Sequence, residues 1–304
     1  MGRVTIRLDD LPLRDDLRGL TPYGAPQAPL PVALNVNENT HPVPREVADD
    51  ILDAIGRALG EINRYPDREF RELREGFAEY LRHGLVADQI WAANGSNEVL
   101  QSILLAFGGP GRRAVVFEPG YQMHAQIARN TGTPVHTVAR DSGLLIDPQS
   151  AREAMGRSPA GVVFVTSPNN PTGLCEPRTT VETMVEAAVD HVIVIDEAYV
   201  QFASTDLLDL VRPGSPVIVT RTFSKTWGLA GLRLGYAIAD PEIVEALELV
   251  CLPYHVDSLK QIAGEVALGH VAAMDARVEE TVAERERIRA GLVSLGLAVV
   301  PSEA

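Results

Sequence analysis

Lys225 has the setting in this sequence that most suggests covalent chemistry. It follows an apolar run, Val217–Thr220, sits in Ser224-Lys225, and precedes Gly228-Leu-Ala-Gly-Leu-Arg233. Lysine is strongly hydrated and is rarely placed among apolar and small neighbours without a purpose. With its pKa lowered, the amine becomes a nucleophile that forms Schiff bases with aldehydes. On its own, a lysine at a strand end that reaches back to solvent is the commoner situation.

Three further groups change that balance. Asp196-Glu197-Ala198-Tyr199 closes another apolar run, Val192–Ile195. A carboxylate there can pair with a protonated pyridine nitrogen and keep the ring an electron sink, and Tyr199 can donate to a ring oxygen. Ser167-Pro-Asn-Asn170-Pro-Thr-Gly173 places two asparagines between prolines, a rigid turn with an amide aimed outward. Asn94-Gly95-Ser96-Asn97-Glu98 follows the run Ile90–Ala93 and opens a helix. Gly95 lets the backbone approach a ligand, and the free N–H groups and helix dipole make a phosphate site. Arg233 supplies a fixed cation for that phosphate, and Thr222 and Ser224 add hydroxyls. Each group alone has an ordinary alternative: a helix cap, a plain turn, an N-cap. Together, each at the end of an apolar run, they describe one site.

Other chemistries find little support. The seven histidines (41, 83, 124, 136, 191, 255, 270) form no i, i+4 pair and no cluster with cysteine, so no metal is expected. There is no G-x-S-x-G elbow. Gly228, Gly231 and Gly235 do not match a dinucleotide fingerprint and are expected to serve close packing.

The elements that must hold these residues alternate. The apolar runs are Ile90–Ala93, Ala114–Phe117, Val162–Thr166, Val192–Ile195, Val217–Thr220 and Leu234–Ala239. They are continuous rather than alternating in polarity, as in strands buried on both faces, and helical patterns lie between several of them. The expected class is α/β, a mainly parallel central sheet with helices on both faces, with ligands at the carboxyl ends of the strands. A helix is predicted from Pro44, with Val47, Ile51, Ile55 and Leu59 on one face. Another carries Phe70, Leu73, Phe77, Tyr80 and Leu81. After Pro241 helices are expected near 241–251 and 258–295, the charged stretch Glu279–Arg289 forming a solvated face. Leu297–Val300 reads as a strand without a partner. Residues 1–35, with Pro at 12, 22, 26, 29 and 31, read as an extended arm.

Bulk properties set the company the chain keeps. Net charge is −14, from 27 Lys and Arg against 41 Asp and Glu, so nucleic acid and anionic lipid surfaces are not expected partners. The two cysteines, Cys175 and Cys251, suggest no disulfide framework. There is no apolar leader and no stretch of roughly 18 apolar residues, and Ile6 stands where a myristoylation signal has Ser or Thr. A soluble cytoplasmic protein is expected.

The combination of Asn170-Pro-Thr-Gly, Asp196 with Tyr199, and Ser224-Lys225 followed eight residues later by Arg233 resembles the fold-type I aminotransferases, across nearly the whole chain. Within them the sequence is similar to the histidinol-phosphate aminotransferase family, actinobacterial versions most of all. That likeness rests on Leu20-Thr-Pro-Tyr23, Leu34-Asn-Val-Asn37-Glu38-Asn39, Arg64-Tyr65-Pro-Asp67, Ala93-Asn-Gly-Ser-Asn97-Glu98 and Val219-Thr-Arg-Thr-Phe-Ser-Lys225. Thr40-His41-Pro42 departs from the Pro-Tyr-Gly usual in the family.

The resemblance implies a pyridoxal 5′-phosphate cofactor and a fold-type I PLP-transferase fold. It implies that Lys225 carries the cofactor and acts as base and acid in a 1,3-proton shift, while Asp196 holds the pyridine N–H. Tyr199 and Asn170 bind the ring oxygen and Tyr121 stacks on the ring. Gly95, Ser96, Asn97, Thr222, Ser224 and Arg233 hold the phosphate. Tyr65 reaches the phosphate of a neighbouring subunit, so a homodimer is implied, and Tyr23, Asn37 and Asn170 border the substrate. The implied layout is an arm over 1–44, a large domain over 45–245 and a smaller C-terminal α+β domain over 246–304. That domain is expected to be incomplete, because the family's two further strands and carboxylate-binding arginine follow this point, and residues 291–304 hold no Arg or Lys. On that expectation cofactor binding survives better than turnover. The implied reaction exchanges an amino group between L-histidinol phosphate and 2-oxoglutarate. An aromatic amino-acid aminotransferase, a threonine-phosphate decarboxylase, or a non-catalytic PLP-binding protein remain open on the same scaffold.

Overall fold

The apolar runs read from the sequence all become strands of one sheet, and a seventh strand joins them. The structure, a computed structural model, describes residues 6–19, 21, 24, 34–157 and 160–304. The strands are β1 (Ile90–Ala93), β2 (Arg113–Glu118), β3 (Val135–Ala139), β4 (Gly161–Thr166), β5 (His191–Asp196), β6 (Val217–Thr222) and β7 (Gly235–Ile238). Their order is β1-β7-β6-β5-β4-β2-β3. Neighbours from β6 through β3 run parallel, while β7 is antiparallel to both β1 and β6. The buried strands β4 and β6 are Val- and Ile-rich and wholly covered, as doubly flanked sheets require. The unanticipated strand is β3, Val-His-Thr-Val-Ala, which lies at the sheet edge and is only partly buried. It lacks the continuous apolar run that revealed the others.

The helices are α1 (Arg45–Ala58), α2 (Arg71–Leu81), α3 (Ser96–Phe107), α4 (Gln122–Asn130), α5 (Pro148–Gly156), α6 (Arg178–Glu186), α7 (Pro241–Glu248), α8 (Ser258–Leu268) and α9 (Val271–Ser294). Asp147, Asp240 and Asp257 each cap a helix by accepting a backbone N–H from Ser150, Glu242 and Lys260, with Pro148 and Pro241 in the first turn. Phe77 of α2 stacks on Tyr236 of β7 at 4.1 Å and meets Phe223 edge-on, seating α2 against the sheet.

Three expectations need correction. The α1 stripe lies against α8 with Val47 buried, but Leu59, placed on the same face, falls beyond the helix end and is 55% exposed. The single long helix over 258–295 is broken at Gly269-His270 into α8 and α9. Leu297–Val300 does not form a strand, because none of the seven strands lies beside it to complete a ladder. The tail instead runs past the Asn170 turn, Glu303 N donating to Gly173 O at 2.7 Å. No helix among the described residues is long and apolar enough to cross a membrane.

The topology places the site. Thr166 and Asp196 are register partners at the ends of β4 and β5, and Asp196 pairs with Thr220 of β6. Because β7 runs antiparallel between β1 and β6, its first residue, Gly235, pairs with both Ala93 and Thr222. The loop after β1, the loop after β6 and Arg233 just before β7 therefore meet at one point.

Candidate active site

At that meeting point lies a cavity of about 360 Å³, lined by Asn37, Ser96, Asn97, Tyr121, Asn170, Asp196, Tyr199, Thr222, Ser224, Lys225 and Arg233. It continues into a second space of about 390 Å³ that shares Asn37, Glu38, Asn170, Tyr199 and Lys225. Every described residue expected to touch the cofactor within the chain is here, Gly95 sitting directly behind Arg233. Tyr65 is elsewhere: 80% exposed, stacked on Tyr254 at 4.6 Å. Tyr23 lies outside the described residues.

One end of the cavity is built for an anion. Gly95, at φ +86°, brings the start of α3 against Arg233; a Cβ there would fall 2.6 Å from Arg233 Nη2. Gly235 is equally constrained, since a Cβ would fall 2.2 Å from Ser96 N. The close-packing expectation therefore holds for Gly235, whereas Gly231 has open space around it. Thr222 Oγ1 accepts Ser224 N at 3.1 Å and donates to Ser224 Oγ at 3.0 Å, so the loop after β6 turns its hydroxyls toward the same end. Helix-start N–H groups, two hydroxyls and a guanidinium are the donor set of a phosphate site.

The middle of the cavity brings together an amine, a phenol and two amides. Lys225 Nζ donates to Val36 O and Asn37 O, each at 3.0 Å, and lies over the Tyr199 ring. Burial pushes its amine below the ordinary 10.5; Arg233 adds to that, while Glu38 and Asp196 oppose it. Asn37 Nδ2 donates to Tyr199 OH at 3.0 Å. Burial, helped by Asp196, pushes the Tyr199 phenol upward against hydrogen bonds from Asn37 and Asn170, so it stays a neutral donor at neutral pH. Of the two asparagines between prolines, Asn170 lines both spaces and Asn169 only the second. Asn169 is buried, its Nδ2 donating to Pro119 O and Thr172 Oγ1.

Behind these groups lie supports that sequence reasoning missed. His124 Nε2 is 2.9 Å from Asp196 Oδ2, and its ring stacks on Phe164 at 4.5 Å and meets Tyr121 edge-on. Its spacing from Tyr121, i to i+3 at the start of α4, was the available signal. On the opposite face of β5 and β6, Arg221 Nε and Nη2 donate to Glu197 Oε2 at 2.9 and 2.7 Å, and Leu207 N donates to Glu197 Oε1. Alternation along each strand sends Asp196 and Thr222 into the cavity and Glu197 and Arg221 away from it. Burial pushes Glu197 upward and the Arg221 charge opposes the rise. A second buried pair, Arg140 with Glu176, joins the Tyr121 and Asn170 loops, as Arg140 Nε also donates to Pro119 O.

A mainly parallel sheet with a lysine, an aspartate, a tyrosine and a phosphate cradle at its strand ends defines a class, and the sequence profile agrees. The chain belongs to the aminotransferase class I and II family, whose profile matches residues 31–304. Its relatives include the histidinol-phosphate aminotransferase of Paenarthrobacter aurescens, 48% identical over 303 residues that cover 98% of this chain and 82% of that protein. That of Streptomyces avermitilis is 47% identical over 309 residues, covering 99% and 84%. Among solved structures, the histidinol-phosphate aminotransferase of Sinorhizobium meliloti in complex with pyridoxal-5′-phosphate superposes with a TM-score of 0.79 at 26% identity, covering 88% of this chain and 72% of that one. An aspartate aminotransferase of Thermus thermophilus with maleate gives 0.75 at 25% identity, covering 89% and 74%. The expected fold-type I architecture is the one found.

Proposed function

We propose that this chain is a pyridoxal-phosphate-dependent transaminase. It exchanges the amino group of L-histidinol phosphate with 2-oxoglutarate, giving imidazole acetol phosphate and L-glutamate in histidine biosynthesis. The observation that carries the reading is the amine of Lys225, depressed in pKa and facing one cavity with Asp196, Tyr199 and an anion cradle. The histidinol-phosphate aminotransferases at 47–48% identity support the choice of substrate.

The residues fit the cofactor by the chemistry of their donors. The cradle that a Cβ at position 95 or 235 would fill suits a phosphate, held by Ser96, Asn97, Thr222, Ser224 and Arg233. Bound there, the group supplies an aldehyde carbon and a pyridine ring able to delocalise electrons. Asp196, ordered by His124, holds a proton on the ring nitrogen. Tyr199 and Asn170 bind the ring oxygen, and Tyr121 forms the aromatic wall. Lys225 first provides the amine for attachment. With the cofactor bound, Lys225 Nζ would be the group placed to move a proton between the two carbons of the transfer, and burial, by lowering its pKa, leaves more of it in the neutral, proton-accepting form. Asn37, on Tyr199 OH, borders the substrate side together with Asn170.

The proposal extends to a cytoplasmic homodimer with Tyr65 contributed in trans, and to a sheet domain over 45–245 flanked by an arm and a C-terminal part. Apolar side chains left exposed on or just after α1 and after α7, among them Leu52, Leu59, Leu249 and Leu252, support a second copy as their cover.

Lys225 and Lys260 are the only lysines in the sequence, which makes the test sharp. Borohydride reduction of the protein with pyridoxal phosphate, followed by peptide mapping, should place the label on Lys225. Adding histidinol phosphate without a keto acid should bleach the visible band, and 2-oxoglutarate should restore it. Label on Lys260 alone would overturn the site. Label on Lys225 with no response to histidinol phosphate would leave a cofactor-binding protein of other specificity.

A further inference from the structure

The second lysine is one of the buried charged residues, and no role in the site has yet been given to it. Lys260 is 7% exposed, in the first turn of α8. Its Nζ donates to Asn94 Oδ1 and, at 2.8 Å, to Asp257 Oδ2. Asn94 Nδ2 donates in turn to His255 O at 2.9 Å, and His255 Nε2 returns to Ala92 O at 2.8 Å, with its ring stacked on Trp91. Asn94 is the residue between β1 and Gly95. Both ends of its carboxamide are therefore held by the segment 255–260, which fixes the turn that aims the start of α3 at the anion end of the cavity. Among the described residues no other charged side chain donates to Asn94, and a buried ammonium makes a stronger anchor than a neutral donor.

We infer that Lys260 is a positioning residue for the phosphate loop: through Asn94 it sets the orientation of the Gly95–Ser96 backbone and so the affinity for the cofactor's phosphate. The inference rests on the cavity holding pyridoxal phosphate with its phosphate at Ser96 and Arg233. Lys260 itself stays out of contact with the cofactor. The same segment carries Tyr254, stacked on Tyr65, and Gln261, whose Nε2 donates to Asp67 O at 2.8 Å. The surface around Tyr65 and the phosphate loop are thus braced by one stretch of chain.

The test compares pyridoxal phosphate with pyridoxal, which lacks only the phosphate. Lys260→Met keeps the side-chain length and removes the donor. The cap of α8 survives, because Asp257 accepts the backbone N–H of residue 260 at 2.9 Å. Dissociation constants of both compounds are measured on cofactor-stripped wild type, Lys260→Met and Lys260→Arg. Expected is a loss of about tenfold in affinity for pyridoxal phosphate in Lys260→Met, unchanged affinity for pyridoxal, and recovery of most of the loss in Lys260→Arg. Equal weakening of both compounds would mean that Lys260 acts only on overall stability and would overturn the inference, as would an unchanged ratio. If Lys260→Met does not fold, Lys260→Gln gives the same comparison. A wild type that does not prefer pyridoxal phosphate to pyridoxal would instead overturn the reading of the cavity.

Discussion

Replacing Gly95 by alanine is the smallest change that should cripple the anion end, by two separable routes. The backbone at 95 has φ +86° and ψ 163°, a region that is essentially glycine's alone, and placing a Cβ there costs about 1–3 kcal/mol of stability. The added methyl would also stand 2.6 Å from Arg233 Nη2, against the roughly 3.5–4.0 Å of an ordinary contact. The guanidinium must retreat by about 1 Å, enough to lose a charge-assisted bond to a phosphate worth about 1.5–3 kcal/mol. The dissociation constant for pyridoxal phosphate should therefore rise about 10- to 150-fold. Titration of cofactor-stripped protein, followed by the visible band, measures the second effect, and urea unfolding of the same sample measures the first. Pyridoxal serves as the control, since its affinity should fall far less. A Gly95→Ala protein that binds pyridoxal phosphate within twofold of wild type, with an unchanged unfolding midpoint, would refute the geometry derived for this loop.

Other outcomes follow from the same structure. Because burial lowers the Lys225 pKa, its folded form loses its proton below the ordinary 10.5, and the unfolded chain binds more protons in the interval between. Lys225→Met should accordingly be more stable than wild type at neutral pH, with the advantage shrinking as pH rises through that interval; a constant difference across it would contradict the shift. Asp196→Asn should keep the fold and still bind cofactor but lose at least about 10²–10³-fold in kcat, since an amide cannot balance a ring cation, and stopped-flow turnover decides this. Arg221→Met should destabilise the protein by about 3–5 kcal/mol in urea by stranding the buried Glu197 carboxylate, and adding Glu197→Gln should restore most of it; strictly additive losses would argue against the pair. Mixing inactive Lys225→Ala with an inactive Tyr65→Ala protein should recover part of the activity if the site is shared between subunits, whereas no recovery in verified mixed dimers would remove Tyr65 from it.

What was legible in advance was what neighbouring residues decide among themselves. Short continuous apolar runs separated by helical patterns suit strands covered on both faces, so six of the seven strands and the α/β class were readable. The reactive positions lie in short motifs attached to those strands, and a parallel sheet brings its carboxyl ends together, so Asn170, Asp196, Tyr199, Lys225 and Arg233 could be named together. What depends on partners distant along the chain could not be read. β3 is an edge strand whose pairing with β2 rather than its composition defines it. Leu297–Val300 had strand composition but no neighbour. That Asn170 and not Asn169 lines the space around Asp196 and Arg233 goes with Pro119 O, 50 residues away, claiming the other amide. Asn37 reaches Tyr199 across 162 residues, and Lys260 reaches Asn94 across 166. Local sequence thus determined which residues are chemically able to act and on which element each sits. Only the packing of distant elements decided which buried donor meets which acceptor, because a buried polar group must find its partner wherever the fold brings one.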